Sequence, residues 1–250
     1  MNFNFHVVIP ARYQSARLPG KLMMEIDGKT VIQRVYEQAL QAQPKTITIA
    51  TDNEQIATHA REFGAHVEMT LPSHATGTDR IAEVISRGFY TENDIIVNVQ
   101  GDEPFIEPAL INQVARILTN RELNMATLCW PIEKQEQLLN PNIVKVVRDR
   151  FNNALYFSRS PIPYNRNEPD SISHVFRHIG LYAYRAKFLV DFVSWLPCKL
   201  EISECLEQLR ALWAGHKIRV DVACAVPQQD INTADDLANA RREAITRSLE

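Results

Sequence analysis

Three cationic side chains, Arg12, Arg17 and Lys21, stand within ten residues of one another in the segment PARYQSARLPGK, Pro10 to Lys21. Guanidinium groups grip phosphate oxygens in pairs and an ammonium adds a compact point charge, so the trio is equipped to hold a polyphosphate. Two prolines stiffen the segment and Gly20 lets it turn. An isolated R-x4-R-x3-K would read as a solvated basic loop. This one directly follows the strand-like run FHVVI (Phe5 to Ile9), a position that favours an anion site. A second constellation is Gln100-Gly101-Asp102-Glu103-Pro104. A carboxylate just past a buried strand, beside a glycine that admits a ligand closely, suits Mg2+ near phosphates. Alone it also fits an ordinary turn, where aspartate is common. Together the two constellations pair an anion cradle with a divalent cation.

The familiar nucleotide signatures are excluded. The chain has eight glycines, no two closer than eight positions, so no G-x-G-x-x-G exists. Gly28-Lys29-Thr30 resembles the end of a phosphate-binding P-loop, but Met23 stands where its first glycine belongs. The formal net charge of −3, from 27 basic and 30 acidic residues, supplies no global field toward nucleic acid or an anionic membrane. The basic residues must therefore act locally. Cys129, Cys198, Cys205 and Cys224 form no C-x-x-C pair, and no apolar run approaches the roughly 20 residues of a membrane span. The start MNFNFHVVIPARY has neither a signal-peptide core nor a cleavage site, and the expected location is a reducing cytoplasm.

These residues need elements to position them. Short β-rich runs alternate with segments of helical period, which predicts an α/β fold with a mostly parallel central sheet and helices on both faces. Thr30 should cap a helix bearing Val31, Val35 and Ala39 on one side, with Ile32 and Leu40 beside them. KTITIA (Lys45 to Ala50) reads as the next strand, and Thr51-Asp52-Asn53 opens another helix. A short strand near Val67, a helix from about Thr78 to Ser86 and the strand DIIVNVQ (Asp94 to Gln100) follow. Pro108 sits in the first turn of a helix with Leu110, Ile111, Val114, Ile117 and Leu118 inward. Beyond about Asn140 come the strands IVKVV, ALYFS and HIGLYAY, the polar loop Pro161 to Ser173, expected to be mobile, and two helices. One of those helices should run from Glu201 to Ala214 with a stripe of Ile202, Cys205, Leu206, Leu209 and Leu212. IRVDVA (Ile218 to Ala223) is the last strand, before a closing Arg/Glu-rich helix. The expected organisation is a single domain, 1–250, whose second half decorates the carboxyl edge of the sheet, where open α/β sheets bind ligands.

PAR-x5-RLPGK, ATDN after the second long strand, Ala75-Thr76-Gly77-Thr78-Asp79-Arg80, NVQGDEP, NPN-x-VKVV, ALYFSR, RHIGLYAYR and LEQLR-x-LW-x-G keep their order from Phe5 to about Ala240. In these motifs the chain resembles the 3-deoxy-manno-octulosonate (Kdo) cytidylyltransferases, the CMP-Kdo synthetases of Gram-negative bacteria. The resemblance implies a nucleotide-diphospho-sugar transferase-like fold, with a nucleotide-binding half at about 1–130 and a sugar-binding, dimerising half at about 131–250. It implies transfer of CMP from CTP to Kdo with release of pyrophosphate, for lipopolysaccharide biosynthesis. Mg2+ as cofactor and a homodimer come with it, and neither nucleic acid nor membrane is an expected partner. Carried residue by residue, it places Arg12, Arg17 and Lys21, with Ala11, at the triphosphate. Thr76, Gly77 and Gln100 fall around the cytidine, and Asp102 at the metal. Arg159, Arg166, His178, Tyr182, Glu207 and Gln208 fall around the sugar.

The residues themselves support part of that pocket. In a strand, His178 and Tyr182 share one face with His174, Phe176 and Gly180, and can reach one ligand, although such residues are commonly just core. On the helix from Glu201, the apolar stripe leaves Glu204, Glu207 and Gln208 on polar margins, as a solvated face would also do. Arg159, ending the strand ALYFS, suits the carboxylate of an acidic sugar. One segment departs from the family pattern. A second metal aspartate is usual in V-D-T-P-E-D-L, whereas this chain reads Ile231-Asn232-Thr233-Ala234-Asp235-Asp236-Leu237. Asn232 offers a carbonyl oxygen without charge, and Asp230 would substitute if turned inward. Two other readings stay open: a cytidylyltransferase for 8-amino-Kdo or a sialic acid, and a non-catalytic sugar-nucleotide-binding regulator.

Overall fold

The first strand carries the logic of the whole sheet. In the computed structural model, which describes residues 3–15, 17–169 and 171–247, strand β1 (His6–Ala11) alternates its side chains between two separate cores. Val7 and Ile9 face one and Val8 the other, and all three are fully buried. A short hairpin, β2 (Glu25–Ile26) and β3 (Lys29–Thr30), leads to α1 (Val31–Gln41), capped by Thr30, whose hydroxyl accepts from the Gln33 amide. Three β-branched residues in α1, Val31, Ile32 and Val35, each lose on the order of 0.5 kcal/mol of helix propensity. Full burial of each contributes about 1.5–3 kcal/mol, so packing decides. Leu40, expected beside that stripe, is instead about half exposed.

Strand β4 (Thr46–Thr51) precedes α2 (Glu54–Glu62), capped by Asn53, and β5 (His66–Met69) precedes α3 (Gly77–Ser86). Thr76 and Asp79 close a capping box on α3. Strand β6 (Ile95–Asn98) is followed by α4 (Pro108–Ile117), then β7 (Met125–Pro131), α5 (Gln135–Leu139), β8 (Lys145–Arg148) and β9 (Ala154–Ser158). Strand β7 was not anticipated. It is covered on both faces, so its run MATLCWP shows no alternation to betray it. The rest is β10 (Phe176–Arg185), α6 (Ala186–Ser194), α7 (Lys199–Glu204), α8 (Leu209–Trp213), β11 (Arg219–Val222) and α9 (Ala234–Arg247).

One nine-stranded sheet results, in the order β11-β7-β10-β6-β1-β4-β5, with β8 and β9 attached beside β10. Neighbours are parallel except around β10, which runs antiparallel to β6, β7 and β8, and between β8 and β9, which are also antiparallel. Helices α1, α2, α4 and α9 cover one face, and α3, α6 and α8 the other, giving the expected layers. Strand β10 is shared. Its carboxyl half, Tyr182 to Arg185, pairs with β6, while Phe176 and Arg177 pair with β8. The first and second halves of the chain therefore interleave in a single sheet.

The helix expected from Glu201 to Ala214 is two helices. Cys205 takes a left-handed conformation (φ 51°) after α7 and breaks the run, so the 3.6-residue stripe does not continue. Ile202, expected in the core, is 65% exposed, whereas Gln208, expected on a polar margin, is buried. The turn carries Glu207 and Gln208 inward in its place.

Candidate active site at the carboxyl edge

Strand order turns at β1, with β4 and β5 to one side and β6 to the other, so the loops leaving β1 and β6 diverge and open a crevice. Pro10 fixes its floor. The Val8 carbonyl accepts from the Val99 amide, so Pro10, two residues on, faces the same edge, beyond where β6 has ended. Its missing N–H costs no ladder bond there. Two glycines let the chain close over it. A β-carbon on Gly101 would lie 2.9 Å from the Pro10 carbonyl oxygen, and one on Gly77 would lie 3.2 Å from the proline ring. Gly20, at φ +71°, turns the basic loop back so that its amide donates to the Tyr13 carbonyl at 3.0 Å.

A cavity of about 350 Å³ fills this crevice, within the size range of small-molecule sites. Arg12, Arg17, Lys21, Thr76, Gly77, Gln100, Asp102 and Asn232 all line it. Ala11 is buried at the end of β1 and is not in its wall. The first turn of α3 also faces the cavity, and free amides at a helix start favour anions. The Lys21 ammonium donates to Asp102 Oδ2 at 2.5 Å and to the Ile231 carbonyl at 2.7 Å, with Asn232 Oδ1 at 3.4 Å. Arg17 Nη2 donates to the same Asn232 Oδ1 at 2.6 Å, and the Asn232 amide nitrogen donates to Asp230. Those contacts assign the orientation of the Asn232 amide. Burial, reinforced by the Asp102 and Asp230 carboxylates, pushes Glu103 up to about 8.

Ser15, His74 and Arg80 also line the cavity without having been anticipated. Arg80 is 3% exposed, pairs with Asp52 at 2.9 Å and donates to the Thr70 hydroxyl. The signal was available. Arg80 falls on the buried stripe of α3 with Ile81, Val84 and Ile85, and a charge there needs a partner. His74 meets Glu83 at 2.5 Å. Bonds from the Leu71 amide, His74 and Arg87 outweigh partial desolvation and hold Glu83 at about 2.

A second cavity of about 80 Å³ adjoins the first through Gln100, and Tyr182, Glu207 and Gln208 line it with Thr78, Asn98 and Tyr184. Glu207 accepts from Thr78 at 2.8 Å and from Thr76 at 3.4 Å, and burial pushes its carboxyl up. Tyr182 Oη and Gln208 Nε2 are buried without a hydrogen-bond partner. Native interiors leave few such groups, and in a cavity wall they mark where a polar ligand would bond. His178 lines neither cavity but packs 5.2 Å from the Tyr182 ring.

Strand β10 reaches that arrangement through a bulge. Between Ile179 and Tyr182 it carries two more residues than β7 carries between Leu128 and Thr127. An even insertion keeps alternation intact, so His178 and Tyr182 still share a face. The Thr127 hydroxyl lies 2.8 Å from both the Ile179 and Leu181 carbonyls and 3.1 Å from His178 Nε2. Its single proton goes to a carbonyl, which assigns the ring proton to Nε2. Burial pushes His178 down to about 3, so the ring is neutral.

Arg159 and Arg166 are not brought to either cavity. The Arg159 guanidinium donates to the carbonyls of Glu204, Pro141 and Cys205 at 2.6, 2.9 and 3.3 Å, tying down the end of α7. The Glu204 and Cys205 carbonyls, left over where the helix breaks, with the Pro141 carbonyl from the loop after α5, take the donors expected for a sugar carboxylate. Arg166 is exposed in the loop after β9. Lys145, fully buried, is likewise consumed by the carbonyls of Asn140, Ile143 and Arg159.

The family model described as Cytidylyltransferase matches residues 6–218. A 3-deoxy-manno-octulosonate cytidylyltransferase of Legionella pneumophila (strain Corby) is 62% identical over 242 residues, 97% of each chain. The enzyme of that name from Pasteurella multocida (strain Pm70) is 48% identical, covering 95% of this chain and 97% of the relative. Among solved structures, CMP:2-keto-3-deoxy-manno-octonic acid synthetase complexed with CTP superposes with a TM-score of 0.91 at 38% identity, covering 98% of this chain and all of the other. The 4-diphosphocytidyl-2C-methyl-D-erythritol synthase from Anaerococcus prevotii, 13% identical with a TM-score of 0.64, shares the fold.

Proposed function

The chain belongs to the cytidylyltransferase family, and on that premise we propose that its larger cavity seats CTP and its smaller one receives part of the acidic sugar Kdo. The reaction is transfer of CMP from CTP to Kdo with release of pyrophosphate, a step supplying lipopolysaccharide biosynthesis. The carrying observation is the junction of the two cavities at Gln100. A cation-lined space fit for a triphosphate shares that side chain with a space whose wall holds unpartnered neutral polar groups. Arg12, Arg17, Lys21 and the start of α3 neutralise the triphosphate and the departing pyrophosphate. Tyr182, Gln208 and Glu207 hold sugar hydroxyls, with His178 supporting the Tyr182 ring. Arg159 positions the α7 end and the turn behind it. Arg166 reaches the sugar only through movement of its loop.

Mg2+ is the proposed cofactor. The Lys21 ammonium rests among a carboxylate, a main-chain carbonyl and a side-chain amide oxygen, an oxygen set that suits a hard cation. Among the described residues no three His, Cys, Asp or Glu side chains converge. That fits an ion that takes most of its ligands from phosphate and water. Asp102 would hold it, with Asn232 or Asp230 beside it, and when bound it would add charge neutralisation and acidify the attacking hydroxyl.

A homodimer is proposed from the far side of the second half. Leu155 on edge strand β9, Ile202 on α7 and Trp213 on α8 are 60%, 65% and 61% exposed on neighbouring elements. Sedimentation of the wild type beside Trp213→Glu tests it, with a monomeric wild type counting against it. Among the described residues no helix is long and apolar enough to cross a membrane, and a cytoplasmic location belongs to the same proposal. The decisive experiment is pyrophosphate release over a grid of nucleotides and acidic sugars, with and without Mg2+. Release should be largest for CTP with Kdo; a larger signal for another pair would reassign the substrates.

A further inference from the structure

The position of Lys21 carries more than a grip on phosphate. Its side chain is almost fully covered, and its ammonium rests in the cavity wall against Asp102 Oδ2 at 2.5 Å and the Ile231 carbonyl at 2.7 Å. The Ile231 amide in turn donates to the Asp102 carbonyl at 2.9 Å, so both oxygen donors belong to one clamped pair of segments. Asn232 Oδ1, fixed by Arg17 at 2.6 Å, forms a third side at 3.4 Å. An ammonium so enclosed fills the role of a cation in an oxygen cage.

We propose that Lys21 is a built-in occupant of the cation cage formed by Asp102, Ile231 and Asn232. A divalent ion enters only when a triphosphate draws the lysine out. The inference rests on the reading of the larger cavity as the CTP site and adds an order to it. Two positive centres on one carboxylate repel each other, and that repulsion is poorly screened in a largely buried site, so Lys21 and a divalent ion compete for Asp102. Without nucleotide, Lys21 is held by Asp102 with the Asp230 carboxylate nearby, so the metal must displace it against that pairing. With nucleotide, the phosphate oxygens offer Lys21 an equivalent partner, and the cage becomes free for the ion that the same phosphates help to bind. Arg17 reports the same exchange, since its bond to Asn232 Oδ1 must also yield if it turns to phosphate.

The test measures Mn2+ binding directly, by electron paramagnetic resonance of the free ion, in wild type, Lys21→Met and Lys21→Gln. Each is measured with and without CTP and without sugar, while CTP binding is followed by calorimetry on the same samples. Wild type should bind Mn2+ weakly alone, and either substitution should tighten nucleotide-free Mn2+ binding at least tenfold while weakening CTP. A general structural lesion would not tighten metal binding. Unchanged or weaker Mn2+ binding in a folded variant overturns the inference. So does a wild type that takes Mn2+ equally well with and without CTP, once the Mn2+ chelated by CTP in a protein-free sample is subtracted, and that arm needs no variant. Absence of CTP binding to the wild type would instead overturn the site assignment beneath it.

Discussion

The two cavities that meet at Gln100 hold their polar groups in opposite ways. In the larger one the cations that are not simply solvated rest on polar partners: Lys21 on Asp102, Arg17 on the neutral amide of Asn232 and Arg80 on Asp52, while Arg12 lies exposed. In the smaller one no cation among the described residues lines the wall, and two polar groups, Tyr182 Oη and Gln208 Nε2, rest on nothing. An uncompensated buried charge costs several kcal/mol, so a site for a charged ligand must satisfy itself while it waits. An unpaired buried hydroxyl or amide costs about 1–3 kcal/mol, which a fold tolerates. Binding in the first region is thus an exchange of partners, and in the second it is a gain of missing ones.

The largest effect should come from the exchanging region. Arg17→Ala should lower kcat/KM by about 10²–10³, the loss of one charge-assisted contact to a transition-state oxyanion, with the melting temperature nearly unchanged because Arg17 is exposed. Steady-state pyrophosphate release beside calorimetry checks both halves. Next is Arg80→Met, which leaves Asp52 and Thr70 unpaired. It should destabilise by about 3 kcal/mol, or roughly 6–12 °C in Tm, by thermal unfolding. A thermally neutral Arg80→Met would break the claim that charges here must be paired at rest.

Tyr182→Phe should do the reverse. Removing a hydroxyl without a partner should leave stability equal or raised by up to about 1 kcal/mol, while kcat/KM for the sugar falls about tenfold or more and the KM for CTP holds. Lost stability would show that the hydroxyl is already satisfied. The smallest effect is a pH slope. The His178 imidazole is pushed down to about 3 from its usual 6.5, so the unfolded chain takes up its proton first as pH falls. That loss of stability is absent above pH 6.5 and accumulates down toward pH 3. His178→Phe should therefore flatten part of the fall in Tm between pH 6.5 and 4; an unchanged slope would mean His178 is not buried neutral.

The same contrast explains what was legible in the sequence. The exchanging region is written in contiguous segments that leave strands, so Arg12, Arg17, Lys21, Thr76, Gly77, Gln100 and Asp102 were placed from local pattern and family resemblance together. The waiting region depends on a break. The periodicity from Ile202 to Leu212 is that of one helix, and only the left-handed turn at Cys205 sends Gln208 inward and Ile202 out. No propensity marks a cysteine for that conformation. Arg159 misled for a related reason, since the carbonyls that take its guanidinium exist only because the helix stops there. Strand alternation, by contrast, placed His178 and Tyr182 together despite a bulge, because two residues were inserted rather than one.

The shared strand β10 also sets the order in which the molecule can come into being. It lies between β6 and β7, yet it is made some 45 residues after β7 ends. A growing chain can pair β1, β4, β5 and β6 early, but β6 keeps an open edge, and β7 has no seat beside it, until Arg185 has left the ribosome. Unpaired edges recruit other chains, and distant pairings close slowly. Synthesis of this protein should therefore pass through an adhesive stage that ends when β10 slides into the gap. Nascent chains halted before Phe176 should bind holding chaperones, whereas chains extended past α6 should escape them.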